Sequence, residues 1–288
     1  MGGIAGVTPM LASVISARTN ALIAEGRRAP LDFAASRPPE AEAMGIALAC
    51  EAAILTGCRL HIRQVSSGEG ADAVAIYKKR APGLISAETL PHNMVLTEER
   101  LGQLGPFAKM APPLRPAEQA RSLIDAVRAG TVDIVVTDHA PHLLEEKEAG
   151  HDDIWKAPSG VPGLETLLPV MLAQSYAGAF DLMRMVSALS TAPAKLFGLF
   201  PRKGVIMPGS DADLIVVDGS VRRTLDPAAM RTRACSTPFH GMEGVGSIDL
   251  VLLRGKRIVE DEKPVGDPCG SFLFPAHTSN VHTHAEER

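Results

Sequence analysis

Aromatic residues are scarce in this 288-residue chain: they make up 4%, with 1 Trp, 2 Tyr and 8 Phe. Its core must be packed from Leu, Ile, Val, Ala and the 11 Met rather than from large rings. Cysteine is sparse as well, and none of the 4 (Cys50, Cys58, Cys235, Cys269) forms a CxxC pair. Each reads as a small buried hydrophobe, and the chain as a reduced, cytoplasmic protein. A surplus of charge is missing too. A net charge of −4 and a pI near 6.1 leave no basic footprint for nucleic acid or an anionic membrane. No run is long and apolar enough to span a bilayer, and the apolar start through Ala17 lacks the basic region of a signal peptide. There is also no histidine before His61.

What is present alternates. The run from Pro9 to Ala17 reads as a buried strand, and ALIAEGRR after it as a helix start. A helix from Ser36, its cap, to Thr56 ends at Gly57, and Arg59 to Val65 returns as a strand. The pattern predicts helices over 69–80, 116–130, 164–177 and 182–197, with strands over 84–88 and 132–137. Strands alternating with helices of this length imply a parallel α/β architecture. Composition shifts after Gly198, where Gly204–Gly209 is turn-rich and short β runs follow at 212–217 and 248–258. The expected organisation is an α/β unit over 1–200, a small β domain over 201–275 and a polar tail over 276–288. Within that tail, His282 and His284 read as terminal residues rather than ligands.

The most informative stretch is Val135-Val136-Thr137-Asp138-His139-Ala140-Pro141-His142, followed by Leu143-Leu144-Glu145-Glu146-Lys147. A β-branched run buried on both faces ends here in an acid and two histidines, the arrangement of a barrel active site at strand ends. Asp138, Ala140, Pro141, His142 and Lys147 resemble the Asp-x-Ala-Pro-His-x4-Lys signature of the cyclic amidohydrolases, the dihydroorotase, allantoinase and hydantoinase group. Further segments resemble that family in order: SRPPEAE at 36–42, VSS at 65–67, Pro91-His92, PPLR at 112–115, SGVPGLET at 159–166, APAKLFGL at 192–199, GVIMPGSDAD at 204–213 and STPF at 236–239. Bland readings stand beside these. His92 reads as a satisfied strand-end histidine, Trp155 as packing, Lys147 as a member of the signature by position only, and His139 as either a supporting partner or simply exposed.

The resemblance implies a TIM-type β/α barrel, partial in this chain, with a small β-sandwich domain. It implies hydrolysis of a cyclic amide C–N bond by metal-activated water, with zinc as the cofactor and Asp138 as general base and metal ligand. It also implies that His142 contacts the substrate and that the backbone near Gly160 and Val161 binds the substrate ring. Ala111 stands where dihydroorotases carry asparagine, which turns the expectation toward allantoin-like or other cyclic ureides. The family's metal ligands are largely missing. The expected positions of the lost fifth- and sixth-strand histidines are Ala17 and Gln64, and His61 is set aside because strand residues three apart face opposite ways. One carboxylate does not hold a catalytic zinc, so zinc is expected to be weak or absent. Two readings stay open: a metal-dependent hydrolase, or a non-catalytic dihydroorotase-like scaffold or partner subunit; the missing ligands are read as a combination of an incomplete piece of a longer protein and a degenerate relative. A half barrel leaves an unpaired edge, so a homo-oligomer or a partner chain is expected, with no nucleic acid and no membrane.

Overall fold

The computed structural model describes residues 3–275. The tail assigned to 276–288, with His282 and His284, lies outside the described residues. Four short strands, β1 (Ile4–Val7), β2 (Arg59–Ile62), β3 (Ile85–Thr89) and β4 (Ile134–Val135), form one parallel sheet in the order β1-β2-β3-β4. Sequential order with every neighbour parallel is the order of a barrel wall; a doubly wound sheet reverses direction at a switch point. Among the described residues the two outer edges, β1 and β4, pair with no further strand. The sheet is therefore an open arc of a TIM-type α/β fold.

Helices α1 (Ala12–Ala24), α2 (Pro30–Ala35) and α3 (Pro39–Thr56) link β1 to β2, and α4 (Gly68–Arg80) links β2 to β3. Helices α5 (Pro91–Val95), α6 (Glu98–Leu104) and α7 (Ala117–Ala129) precede β4. After it come α8 (Leu144–Glu148), α9 (Leu167–Tyr176), α10 (Leu182–Val186) and α11 (Ala192–Leu196). The second sheet is antiparallel: β5 (Leu214–Thr224), β6 (Glu243–Leu253), β7 (Lys256–Glu260) and β8 (Lys263–Pro264), paired in that order.

Glycine punctuates as the sequence suggests: Gly57 and Gly130 close α3 and α7 in the left-handed conformation at φ 66 and 76. Three expectations are corrected. The segment 9–17 is not a strand, because Ala12–Ala24 is helix α1 and the strand is the shorter Ile4–Val7. Its apolar run alternates with Ser13 and Ser16 and carries only two β-branched residues, Val14 and Ile15, too few to hold it extended. Ser36 does not cap α3. It ends α2, its hydroxyl donating to Phe33 O at 2.8 Å, and Pro38 precedes the first turn of α3. The helix expected over 182–197 changes to i→i+5 bonding at Ser187–Thr191, next to Pro193, which has no N–H to give.

The main core lies between the parallel sheet and its helices. Leu60, Ile62, Ile85, Ala87 and Val135 pack there with Ile46 and Cys50 of α3, Val74 of α4 and Leu123 of α7. A second cluster joins Leu101, Met110, Leu114, Val161, Val170, Leu225 and Phe239. It lies beneath the segment that follows β4 and anchors the loop of Gly160.

Candidate active site

Several of the motifs prove to be one buried network. Glu42 of α3 is 2% exposed and accepts from the Ser66 and Ser67 backbone N–H groups at 2.9 and 3.2 Å. It also accepts from both serine hydroxyls, and Arg115 lies 3.4 Å away. The guanidinium of Arg115 also donates to Arg37 O and Ser66 Oγ. Gly70 leaves room for this carboxylate, since a Cβ there would fall 2.2 Å from Glu42 Oε1. SRPPEAE, VSS and PPLR thus meet around a single acid that ties the start of α3 to the turn after β2.

At the C-terminal ends of the strands, three side chains meet. The Thr8 hydroxyl, directly after β1, donates to Gln64 Oε1 at 2.7 Å, and Gln64 Nε2 donates to Asp138 Oδ2. Gln64 and Asp138 both hold left-handed backbone, at φ 57 and 46. This is rare for residues with side chains and persists only where the surroundings over-determine it. Leu60 and Ile62 pack into the helix-side core, and strict alternation would send residue 64 the same way. The positive φ turns it to the strand ends instead. Alternation is therefore no guide to His61. That residue is engaged elsewhere: its Nδ1 meets Ser86 Oγ and its Nε2 meets Glu88 Oε2, both at 2.9 Å.

Ala17 does not belong to this group. It is exposed on α1, and the place assigned to it, the end of the strand preceding β2, is held by Thr8. Thr8 is thus a strand-end partner of Gln64 that the sequence reading missed. The signal for it is the short Ile4–Val7 run, in register with Arg59–Ile62.

The loop after β4 is fastened beside Asp138. The Ala140 N–H donates to Val161 O at 3.0 Å, and His139 bridges Val161 in parallel fashion. Gly160 sits at φ 140, where a Cβ would fall 2.6 Å from Ala140 O and 3.1 Å from His142 Nε2. The Val161 side chain is buried in the second core cluster, so its backbone is what faces the strand end. His142 is spent on the loop: Nε2 donates to Ser159 O at 3.2 Å, and Nδ1 lies 3.6 Å from Glu146. His139 Nδ1 accepts the N–H groups of Gly163 and Leu164 at 3.0 and 3.3 Å, which places its proton on Nε2.

Lys147 holds the same loop from below. It is 2% exposed, and its ammonium donates to Lys109 O and Pro158 O, each at 3.0 Å. Lys109, 4% exposed, donates in turn to Ile154 O at 2.7 Å and to Ala157 O. Burial pushes both ammonium groups down to about 8. Trp155 packs on Phe33 with ring centroids 6.1 Å apart. His92 is buried but not satisfied: its Nε2 has no partner among the described residues, and burial holds it down to about 3.

This donor set does not fit zinc. A catalytic zinc takes about three imidazole, thiolate or carboxylate ligands, and the strand ends offer a hydroxyl, a primary amide and one carboxylate. Among the described residues no group of three or more His, Cys, Asp or Glu is placed to hold a metal ion. A cavity of about 300 Å³ lies elsewhere, between α9 and the antiparallel sheet, lined by Leu168, Val217, Arg223 and Glu262 among others. No helix of the described residues is long and apolar enough to cross a membrane.

Residues 71–258 match the family model described as amidohydrolase family. The chain is 39% identical over 240 residues to a dihydroorotase of Halobacterium salinarum, covering 83% of this chain and 53% of that protein. It is 38% identical over 245 residues to an allantoinase of Rubrobacter xylanophilus, with 85% and 53% covered. The structure of an L-hydantoinase (dihydropyrimidinase) from Arthrobacter aurescens superposes with a TM-score of 0.89 at 32% identity, over 92% of this chain and 59% of that one. The chain spans about half the length of the curated relatives it matches. By its matched segment, its parallel strand order and its strand-end acid, it belongs to the amidohydrolase family, in the branch of cyclic amidohydrolases.

Proposed function

We propose that this chain recognises a small cyclic amide or ureide at the strand ends beside Asp138, and that its described residues do so without hydrolysing the ring. The observation that carries this is Gly160. Its φ of 140 and its missing Cβ let the Gly160–Val161 backbone lie against Ala140, two residues beyond the acid in the segment that follows β4. The Gly160 N–H is given to Lys109 O at 3.0 Å, so a ring ureide pairs with this edge through its N–H groups, one donating to the Gly160 carbonyl and another to a carboxylate oxygen. Gln64 occupies Asp138 Oδ2 and leaves Oδ1 for that purpose. Ala111 favours ureides of the allantoin type over dihydroorotate.

Opening the ring needs a water stripped of its proton and a polarised carbonyl. Asp138 can take the proton. The second requirement is what the Thr8 and Gln64 side chains do not supply. The described residues are accordingly read as a non-catalytic, dihydroorotase-like scaffold or partner subunit. The hydrolase reading draws on the retained left-handed Asp138, and it requires further ligands from outside the described residues.

Calorimetric titration with hydantoin, dihydrouracil, allantoin and dihydroorotate, paired with an assay for ring opening, tests this. The expected result is saturable heat with at least one ring, no opened product, and loss of binding in Gly160→Val. Absence of heat with every ring sinks the recognition; ring opening by the chain alone replaces it with the hydrolase reading.

A further inference from the structure

We propose that Thr8, Gln64 and Asp138 form a hydrogen-bonded clasp that takes the place of a metal ion, joining three strand ends without binding zinc. This goes beyond the reading above, because it concerns what holds the site together and is independent of which ring is bound.

The three residues follow three different strands: Thr8 directly after β1, Gln64 shortly after β2 and Asp138 shortly after β4. Chemistry fixes the direction of the bonds. An ionised carboxylate only accepts, so the amide turns Nε2 to Asp138 and Oε1 to Thr8, and the hydroxyl must donate. Flipping the amide would aim its oxygen at the carboxylate and strand polar atoms on a side chain that is only 8% exposed. The chain is complete in one sense only, and the left-handed backbones at 64 and 138 aim both side chains into it.

The same arrangement turns a cation away. Asp138 supplies a single carboxylate, and an amide N–H already points at one of its oxygens. A cation bound there would face that hydrogen, with neither of the other two side chains offering a nitrogen ligand. Conversely, imidazoles at positions 8 and 64 would put two nitrogens and a carboxylate on the same three strand ends, the usual complement for zinc.

The test measures zinc per chain by elemental analysis, after zinc exposure and desalting, on the full chain and on Thr8→His/Gln64→His, with circular dichroism to confirm folding. The expected result is near zero for the natural sequence and near one for the double variant. A stoichiometric zinc in the natural chain overturns the clasp, and so does a folded double variant that retains none. Should the double variant not fold, Gln64→Glu decides. It sets a second carboxylate against Asp138, so the two must share a proton. Its melting temperature should then fall, relative to the natural chain, as pH rises from 5 to 8. An unchanged pH response would mean that positions 64 and 138 do not touch.

Discussion

At the scale of single residues, Gly160 and His92 set measurable limits. Gly160 holds φ 140 with no room for a Cβ. Gly160→Ala should cost about 1–3 kcal/mol, the usual range for strained backbone, read as a lower urea midpoint with an unchanged slope. His92 is 3% exposed and its imidazole is held down to about 3 by burial. The unfolded chain takes up this proton near pH 6.5 and the folded chain does not, so stability is lost as pH falls below 6.5. The loss at pH 5 should be about 2 kcal/mol by linkage. His92→Leu should flatten that acid limb in urea titrations at pH 7 and 5, and an identical slope in both proteins would refute the assignment.

At the scale of elements, the motifs sort by what they hold. Glu42 ties α3 to the turn after β2 and to Arg115, all buried. Removing one member of such a set strands the others, so Glu42→Ala should cost about 3–5 kcal/mol and Glu42→Gln less. Equal, small effects in thermal melts would show that the network is idle. Lys147 anchors the loop that carries Gly160, and burial lowers it from 10.5 to about 8. Below pH 8 the folded chain bears the full penalty of a buried ammonium. Between pH 8 and 10.5 the folded chain sheds the proton before the unfolded one does, and the penalty is relieved. The natural chain should therefore gain stability relative to Lys147→Met as pH rises from 8 to 10, measured by urea unfolding at each pH.

At the scale of the whole molecule, the arc of four parallel strands leaves β1 and β4 unpaired at their outer edges among the described residues. Open edges invite pairing, and Met44, Leu48 and Leu55 stand exposed along α3. Sedimentation velocity should show association with a second copy or with an added partner chain. A stable, monodisperse monomer across micromolar concentrations would refute this.

Sequence by itself determined the family and the alternation of strands and helices, because each family segment sits in a local string with its own signature. Glycine stops at 57 and 130 were legible for the same reason: a left-handed cap is a local property. Thr8 was not legible. Nothing in Val7-Thr8-Pro9 marks a site until β1 lies in register beside β2, and an apolar run at 9–17 drew the strand onto what is helix α1. Lys147, set among the charged Glu145, Glu146 and Glu148, read as a member of the signature by position only; folding alone shows its carbonyl partners, Lys109 and Pro158. Tertiary structure alone decided that Gln64, whose parity pointed it at the helices, turns through a left-handed backbone to join Thr8 to Asp138. Hydrogen bonds between residues 56 and 74 positions apart are set by the meeting of strand ends, and no local pattern encodes that meeting.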